Sequence, residues 1–283
     1  MMPPAIVIDS LVLSSMYILM ASGLVLVFSI MQILNFAHGQ FYMLGAYALF
    51  YLFQMAGINF FISLVLSAVI IGFVGILIER YVMRPIGQPI QAVVVTIALI
   101  SVFEGIITLV AGPAPRSVTS AFPGTVNIFG VSLSSERLAT VIIAVLLIIA
   151  LYLFIQRTKL GLALRAAAQQ PVAAGLFGIQ VARVSTLVMG IGCGLAALAG
   201  GIMAPMFYVD PWIGGQPLVM ALLAIVIGGM GSLGGAVVGG IILGVIGSIV
   251  AYYIGFWSQL ISFGIVIVIL LLRPQGLFGL SEK

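Results

Sequence analysis

Apolar residues run through this chain in long uninterrupted stretches, and the few polar or turn-forming clusters between them mark out the elements. The breaks leave apolar segments at 7–31, 37–56, 59–79, 89–111, 138–156, 184–206, 217–230, 234–254 and 258–272. A helix of about 20 apolar residues crosses a bilayer, so most of these segments read as spanning helices. Two are interrupted. The first pair is joined only by the polar cluster Gln32, Asn35, His38 and Gln40. The seventh is short and runs into Gly228-Gly229-Met230-Gly231-Ser232-Leu233-Gly234-Gly235. Both read as half-helices or re-entrant segments, which are tolerated at membrane depth only where protein or a water-filled cavity satisfies the freed backbone. The expected fold is an all-α polytopic bundle of eight or nine spans, a single transmembrane domain over residues 1–283.

Composition excludes the soluble alternative. The chain is 63 % hydrophobic and 6 % charged, against roughly 25 % charged in an ordinary soluble domain. No formal charge occurs between Asp9 and Glu79 or between Asp210 and Arg273. Met1 to Ile8 contains no Lys or Arg, so the first run lacks the basic region of a cleaved signal and reads as a retained span. One cysteine, Cys193, excludes an intrachain disulfide, and one histidine, His38, excludes a multi-histidine metal cluster. The only lysines, Lys159 and Lys283, follow no glycine-rich phosphate loop, so the chain carries no recognisable nucleotide-hydrolysing motor. The net charge of +4 reflects orientation in the membrane rather than nucleic-acid binding.

Basic residues set that orientation. Arg80, Arg84, Arg157, Lys159, Arg165, Arg183, Arg273 and Lys283 fall on one side if the segments alternate, and the positive-inside rule makes that side cytoplasmic. Arg116 and Arg137 then lie outside in a 112–137 loop, marked by Gly112-Pro113-Ala114-Pro115 and Pro123-Gly124. The C-terminus is expected inside, and the N-terminus outside if both interrupted segments cross.

The 34 glycines suit a bilayer, where small residues four apart let helix backbones approach. Gly190/Gly194, Ala196/Gly200, Ala197/Gly201, Gly231/Gly235/Gly239 and Ala236/Gly240/Gly244 have that spacing. Close intrachain packing is the plainer reading; a moving or subunit interface is the alternative.

The longest cytoplasmic stretch, 157–183, predicts two short helices. Leu160, Leu164 and Ala168 share one helical face. Pro171 suits the first turn of a second helix, Leu176 and Phe177 give it an apolar tip, and Gly178 stops it. A compact knob on a membrane domain without a motor points to docking of a separate motor, with Arg165 orienting the knob. Within the membrane, Glu104 is the only acid well inside a span. It reads either as a hydrogen-bonded structural group or as part of a substrate path. Asn35, His38 and Gln40 form a cluster with the same two readings, a network that satisfies a broken helix or a path lining. No constellation for chemistry on a substrate is present.

Several stretches together resemble a known family. Leu160-Gly161-x-Ala163-x-Arg165-Ala166, Ala168-Gln169-x-Pro171-x-x-Ala174, Gly178-Ile179 and Arg183 resemble the coupling loop of ABC importer permeases. Among these the chain resembles the LivH-type permeases for branched-chain amino acids. Asn35-Phe36-Ala37-His38-Gly39-Gln40-Phe41-Tyr42-Met43-Leu44-Gly45-Ala46-Tyr47 is similar to that family's first signature. Asp210-Pro211-x-x-Gly214, Gly228-Gly229-x-Gly231-Ser232-x-x-Gly235-Ala236 and Arg273-Pro274-x-Gly276-Leu277-Phe278-Gly279 are similar to its C-terminal half. Gln170 departs from the family, which often has Asn or an acid there. The resemblance implies a bacterial inner-membrane permease subunit that works by alternating access. It would pair with a second permease, two ATPase subunits that hold the ATP and Mg, and a periplasmic substrate-binding protein. Branched-chain or other hydrophobic amino acids are the implied substrates. Urea, amides or sugars on the same architecture remain an alternative, as does an ion-coupled secondary transporter.

Overall fold

The structure, a computed structural model, describes residues 4–86, 88–128, 131–273 and 275–278. Pro274, Gly279 and Lys283 of the sequence reading lie outside them. The elements are α1 (Pro4–Met31), α2 (His38–Leu49, prolonged by a π-helical turn over Phe50–Met55), α3 (Phe60–Ile78, prolonged by a π-helical turn over Glu79–Met83), α4 (Pro89–Ala111), β1 (Thr125–Ile128), β2 (Val131–Ser134), α5 (Ser135–Arg157), α6 (Lys159–Gln169), α7 (Pro171–Leu176), α8 (Val181–Met203), α9 (Gly215–Gly228), α10 (Leu233–Ile254) and α11 (Ser258–Leu272). Six helices are long and apolar enough to cross a membrane, and Gly215–Gly228 and Gln259–Leu272 are shorter apolar helices. The protein is therefore a multi-pass, almost wholly helical membrane bundle.

Two details correct the sequence reading. The 112–137 loop is not irregular throughout: β1 and β2 pair antiparallel as a hairpin, and Arg116 pairs with Val209 in an isolated bridge that ties this loop to the one after α8. Glu136 and Arg137 belong to the first turn of α5 rather than to the loop. Glu136 is buried and accepts the Phe122 N–H at 3.0 Å and the Ser120 hydroxyl, so it earns its helical position by capping the loop against the bundle.

Glycine determines which helices touch. α3 runs antiparallel to α8, with Gly72 on Gly190 and Gly194 on Ala68, while α10 runs antiparallel to α1, with Gly240 on Ile18 and Gly244 on Ser14. α9 and α10 form a hairpin through Gly228 on Gly235 and Gly239 on Ala224. At these points a Cβ would meet the neighbouring backbone or side chain, so the close approach depends on its absence. Gly231 does not join this series. It lies in the α9–α10 turn at φ +89 with open space around its Cβ position, where a left-handed backbone requires glycine.

Two of the reciprocal glycine contacts join corresponding helices of the two halves of the chain. Gly23 of α1 abuts Gly192 of α8, and Gly39 of α2 abuts Gly214 at the start of α9; in each pair, either residue's Cβ would meet the other's backbone. Each half of the chain repeats one order: a long central helix (α1, α8), a broken crossing that restarts as a shorter helix (α2, α9), a helix that packs through glycine on the other half's central helix (α3, α10) and a more exposed helix (α4, α11). α1 packs chiefly on α10 as α8 packs chiefly on α3 and α2. The halves are thus arranged about an approximate two-fold axis through the two glycine pairs.

Candidate functional site

The site is built around the two breaks. α1 ends at Gln32, a non-glycine residue at φ +52, and the chain turns back into the bundle. His38 then starts α2 beside Gly23. Gly23 lies eight residues before the end of α1, about 12 Å along its axis at 1.5 Å per residue, so α2 begins well inside the bundle. The unwound backbone is satisfied locally. Asn35 is fully buried; its side-chain carbonyl accepts the Ala37 N–H at 3.1 Å and its backbone carbonyl accepts the His38 N–H at 3.2 Å. The buried Thr96 hydroxyl of α4 accepts the Phe36 N–H at 3.2 Å. Thr96 escaped the sequence reading; its only signal is a polar residue within an otherwise apolar run.

The four predicted path residues separate into two environments. Asn35 and His38 are sealed between helices, with both ring nitrogens of His38 buried. Gln40 reaches toward α4, where its side-chain amide donates to Glu104 Oε1 at 3.0 Å. Glu104 is only partly buried, and α4 around it is among the most exposed helices, with Ser101 and Gly105 uncovered. The Phe41 and Phe103 rings stack edge to face at 5.8 Å beside this pair. The structure therefore joins Gln40 and Glu104 and leaves His38 as a packing neighbour of Gly23.

The second break mirrors the first, but it precedes α9 at 204–214; the Gly228–Gly235 run expected to interrupt the membrane segment is the α9–α10 turn. After α8, residues 204–214 descend to Gly39, and α9 begins there. At its other end, the carbonyls of Ile227 and Gly228 accept the N–H groups of Leu277 and Phe278 at 2.7 and 3.0 Å. A helix end leaves four carbonyls unpaired, and the Gly276-Leu277-Phe278 segment takes up two of these. Its role as a helix cap could not be read from spacing.

The α6–α7 knob has the predicted plan. The Thr158 hydroxyl accepts the Gly161 N–H at 2.9 Å and caps α6. Gly161 sits where a Cβ would meet the carbonyls of Phe154 and Ile155, so α6 folds tightly back on the end of α5. Leu164 and Ala167 are buried, while Leu160 is 53 % exposed and lies at the edge of the face rather than in it. Pro171 occupies the first turn of α7, and Gly178 ends the segment at φ +82. Leu176 and Phe177 are 85 % and 88 % exposed. The guanidinium of Arg165 donates to the Gln156 side chain at 2.9 Å, which ties α6 to α5.

A neighbouring cluster was not anticipated. Buried Glu79 accepts from Arg84 at 2.9 Å and from the Thr186 hydroxyl at 2.7 Å, and Arg84 also donates to the Ala182 carbonyl at 2.8 Å. The π-helical turn supplies this geometry, because an i to i+5 bond brings Glu79 and Arg84 together. The cluster pins the start of α8, directly after the knob, to the end of α3. Among the described residues no group of three or more His, Cys, Asp or Glu could hold a metal.

Comparison with known proteins agrees with this architecture. A family model described as "Branched-chain amino acid transport system / permease component" matches residues 6–270. The high-affinity branched-chain amino acid transport system permease protein LivH of Salmonella typhimurium is 32 % identical, over 97 % of this chain and 94 % of its own length. BraD of Pseudomonas aeruginosa, another permease protein of such a system, is 30 % identical over 97 % and 95 %. LivM of Escherichia coli is 26 % identical over 97 % of this chain and 70 % of its own. No solved structure is a significant match. With the match spanning both breaks and the knob, this chain belongs to the family of permease components of branched-chain amino-acid transport systems.

Proposed function

We propose that this chain is the membrane permease subunit of an ATP-driven importer for branched-chain or other aliphatic amino acids in a bacterial inner membrane. The observation that carries the reading is the family match from end to end of the bundle. In this reading residues 1–283 form one transmembrane domain with nine crossings. The N-terminus lies outside, and the C-terminus lies inside with the 157–183 knob. Two partner ATPases bind ATP and Mg and hydrolyse the nucleotide, a second permease completes the membrane domain, and a periplasmic protein delivers the amino acid. The relatives include both LivH and LivM, which favours a permease pair.

Closure of the motor moves the exposed α7 tip, with Leu176 and Phe177 as anchors and Pro171 and Gly178 fixing its length. Arg165 and Gly161 pass the displacement to α5; the Glu79–Arg84 cluster passes it to α3. The two halves then rock about the Gly23–Gly192 and Gly39–Gly214 contacts, as inverted repeats do in alternating access. Gly235 and Gly239 keep α9 and α10 together as one moving hairpin. Gln40 and Glu104 border the path, while Asn35 and His38 hold the break that lets α2 start inside the bundle.

Reconstitution with both ATPases, the second permease and the binding protein tests this. Leucine uptake should require ATP and persist when proton and sodium gradients are collapsed. Uptake by this subunit alone, driven by an ion gradient, would refute it.

A further inference from the structure

The segment Asp210-Pro211-x-x-Gly214 has so far no role beyond entering α9. It forms one wall of a cavity of about 430 Å³ at the end of the bundle remote from the knob, between α1, α2 and the α8–α9 connection. We propose that this vestibule is a transient binding subsite for the free zwitterion of an amino acid with an apolar side chain. The proposal rests on the amino-acid reading above and locates a recognition step within it.

The cavity has the volume of a small-molecule pocket, and its walls are largely apolar with a few polar groups, as such pockets are. Its acid is Asp210. One carboxylate oxygen accepts the Trp212 N–H at 2.8 Å; the other has no partner among the described residues. The nearby cation does not neutralise it. Arg116 donates to the Ala111 carbonyl and lies 5.3 Å over the Phe50 ring, and it forms no ion pair among the described residues. The Arg116–Val209 backbone pair, at 2.9 and 2.8 Å, holds the residue before Asp210 in place. The acid is thus fixed in position.

Tyr42, Tyr208 and Trp212 line the same cavity. A carboxylate beside tyrosine and tryptophan faces is the environment that attracts an ammonium group, through charge and cation–π attraction. Gln216, in the first turn of α9, also lines the cavity and is exposed. Its side-chain amide, together with the positive end of the helix, suits the ligand's carboxylate. Met16 offers apolar surface for the aliphatic side chain. A neutral amide or a sugar would leave the free carboxylate oxygen of Asp210 without a cation.

The test uses the assembled transporter in lipid nanodiscs, with Phe207→Cys, at an exposed cavity-lining position given no ligand contact, in a Cys193→Ser background. A maleimide labels this subunit, which is resolved from its partners on a gel, with and without L-leucine and without the binding protein. L-leucine should slow labelling several-fold. The keto acid of leucine, which lacks the ammonium, and isoamylamine, which lacks the carboxylate, should slow it far less. Asp210→Asn should remove the protection without changing the unprotected rate. Equal protection by the keto acid overturns the assignment to Asp210. Absence of protection by leucine, while ATP-driven leucine uptake by the unmodified complex is intact, overturns the vestibule and leaves the importer reading standing. Loss of that uptake would instead count against the importer reading itself.

Discussion

At the residue scale, function in this protein depends as much on missing side chains as on present ones. Gly200 illustrates it: a Cβ there would fall on the Tyr42 carbonyl, and Gly45 one turn along α2 is pressed in the same way against Ala197. Both partners are backbone, so they cannot swing aside. Overpacking a core costs typically about 1–3 kcal/mol, and a backbone obstacle puts Gly200→Val at the upper end. Gly264 of α11 has open space at its Cβ position, so Gly264→Ala should leave the protein unaffected. Thermal unfolding of the two purified variants checks this; equal melting temperatures would count against the α2–α8 contact. The spacing Ala196/Gly200 was visible along the chain, but its partner Tyr42 was not. Gly231 has the same spacing and serves a turn instead.

At the element scale, the knob was the most legible feature. Proline at a helix start, glycine at a helix stop and an apolar tip between them act through local backbone sterics, so their meaning survives in any tertiary setting. Leu176 and Phe177 are so exposed that they contribute little to the fold of this subunit. Interface anchors cost more than about 2 kcal/mol when truncated. Leu176→Asp or Phe177→Asp should therefore abolish transport and release the ATPase subunits, with membrane abundance unchanged. Co-purification of the ATPases, scored beside abundance, decides it; retained ATPases with full transport would remove the coupling role. The Glu79–Arg84 cluster beside the knob was not legible. Within a helix a five-residue separation brings two side chains together through a π-helical turn, and nothing in an apolar run announces one.

At the scale of the whole molecule, alternation of the segments dictates sidedness. The proposed topology puts Gln170 in the knob and Thr125 in the β-hairpin on opposite faces, because α5 alone of the candidate spans lies between them. Cysteines at these two positions, in a Cys193→Ser background, should react with an impermeant maleimide from opposite sides, Gln170→Cys only from the cytoplasm. Labelling of both from one side would show that α5, the helix between them, does not cross.

Hydropathy and turn chemistry by themselves determined that this is a multi-pass helical protein, that its first helix pair is broken at the Gln32–His38 cluster, and that a two-helix knob projects from it. These properties arise from a residue and its near neighbours, through the transfer of apolar side chains to lipid and the backbone preferences of proline and glycine. Tertiary structure alone decided that the two breaks meet and that Gln40 finds Glu104 rather than His38. It also decided that Leu277 and Phe278 close the end of α9, and that Asp210 faces an aromatic cavity. Each of these depends on two segments far apart in the chain reaching van der Waals or hydrogen-bond distance. That approach is set by how glycine surfaces of different helices fit together, and no periodicity within a single helix encodes it.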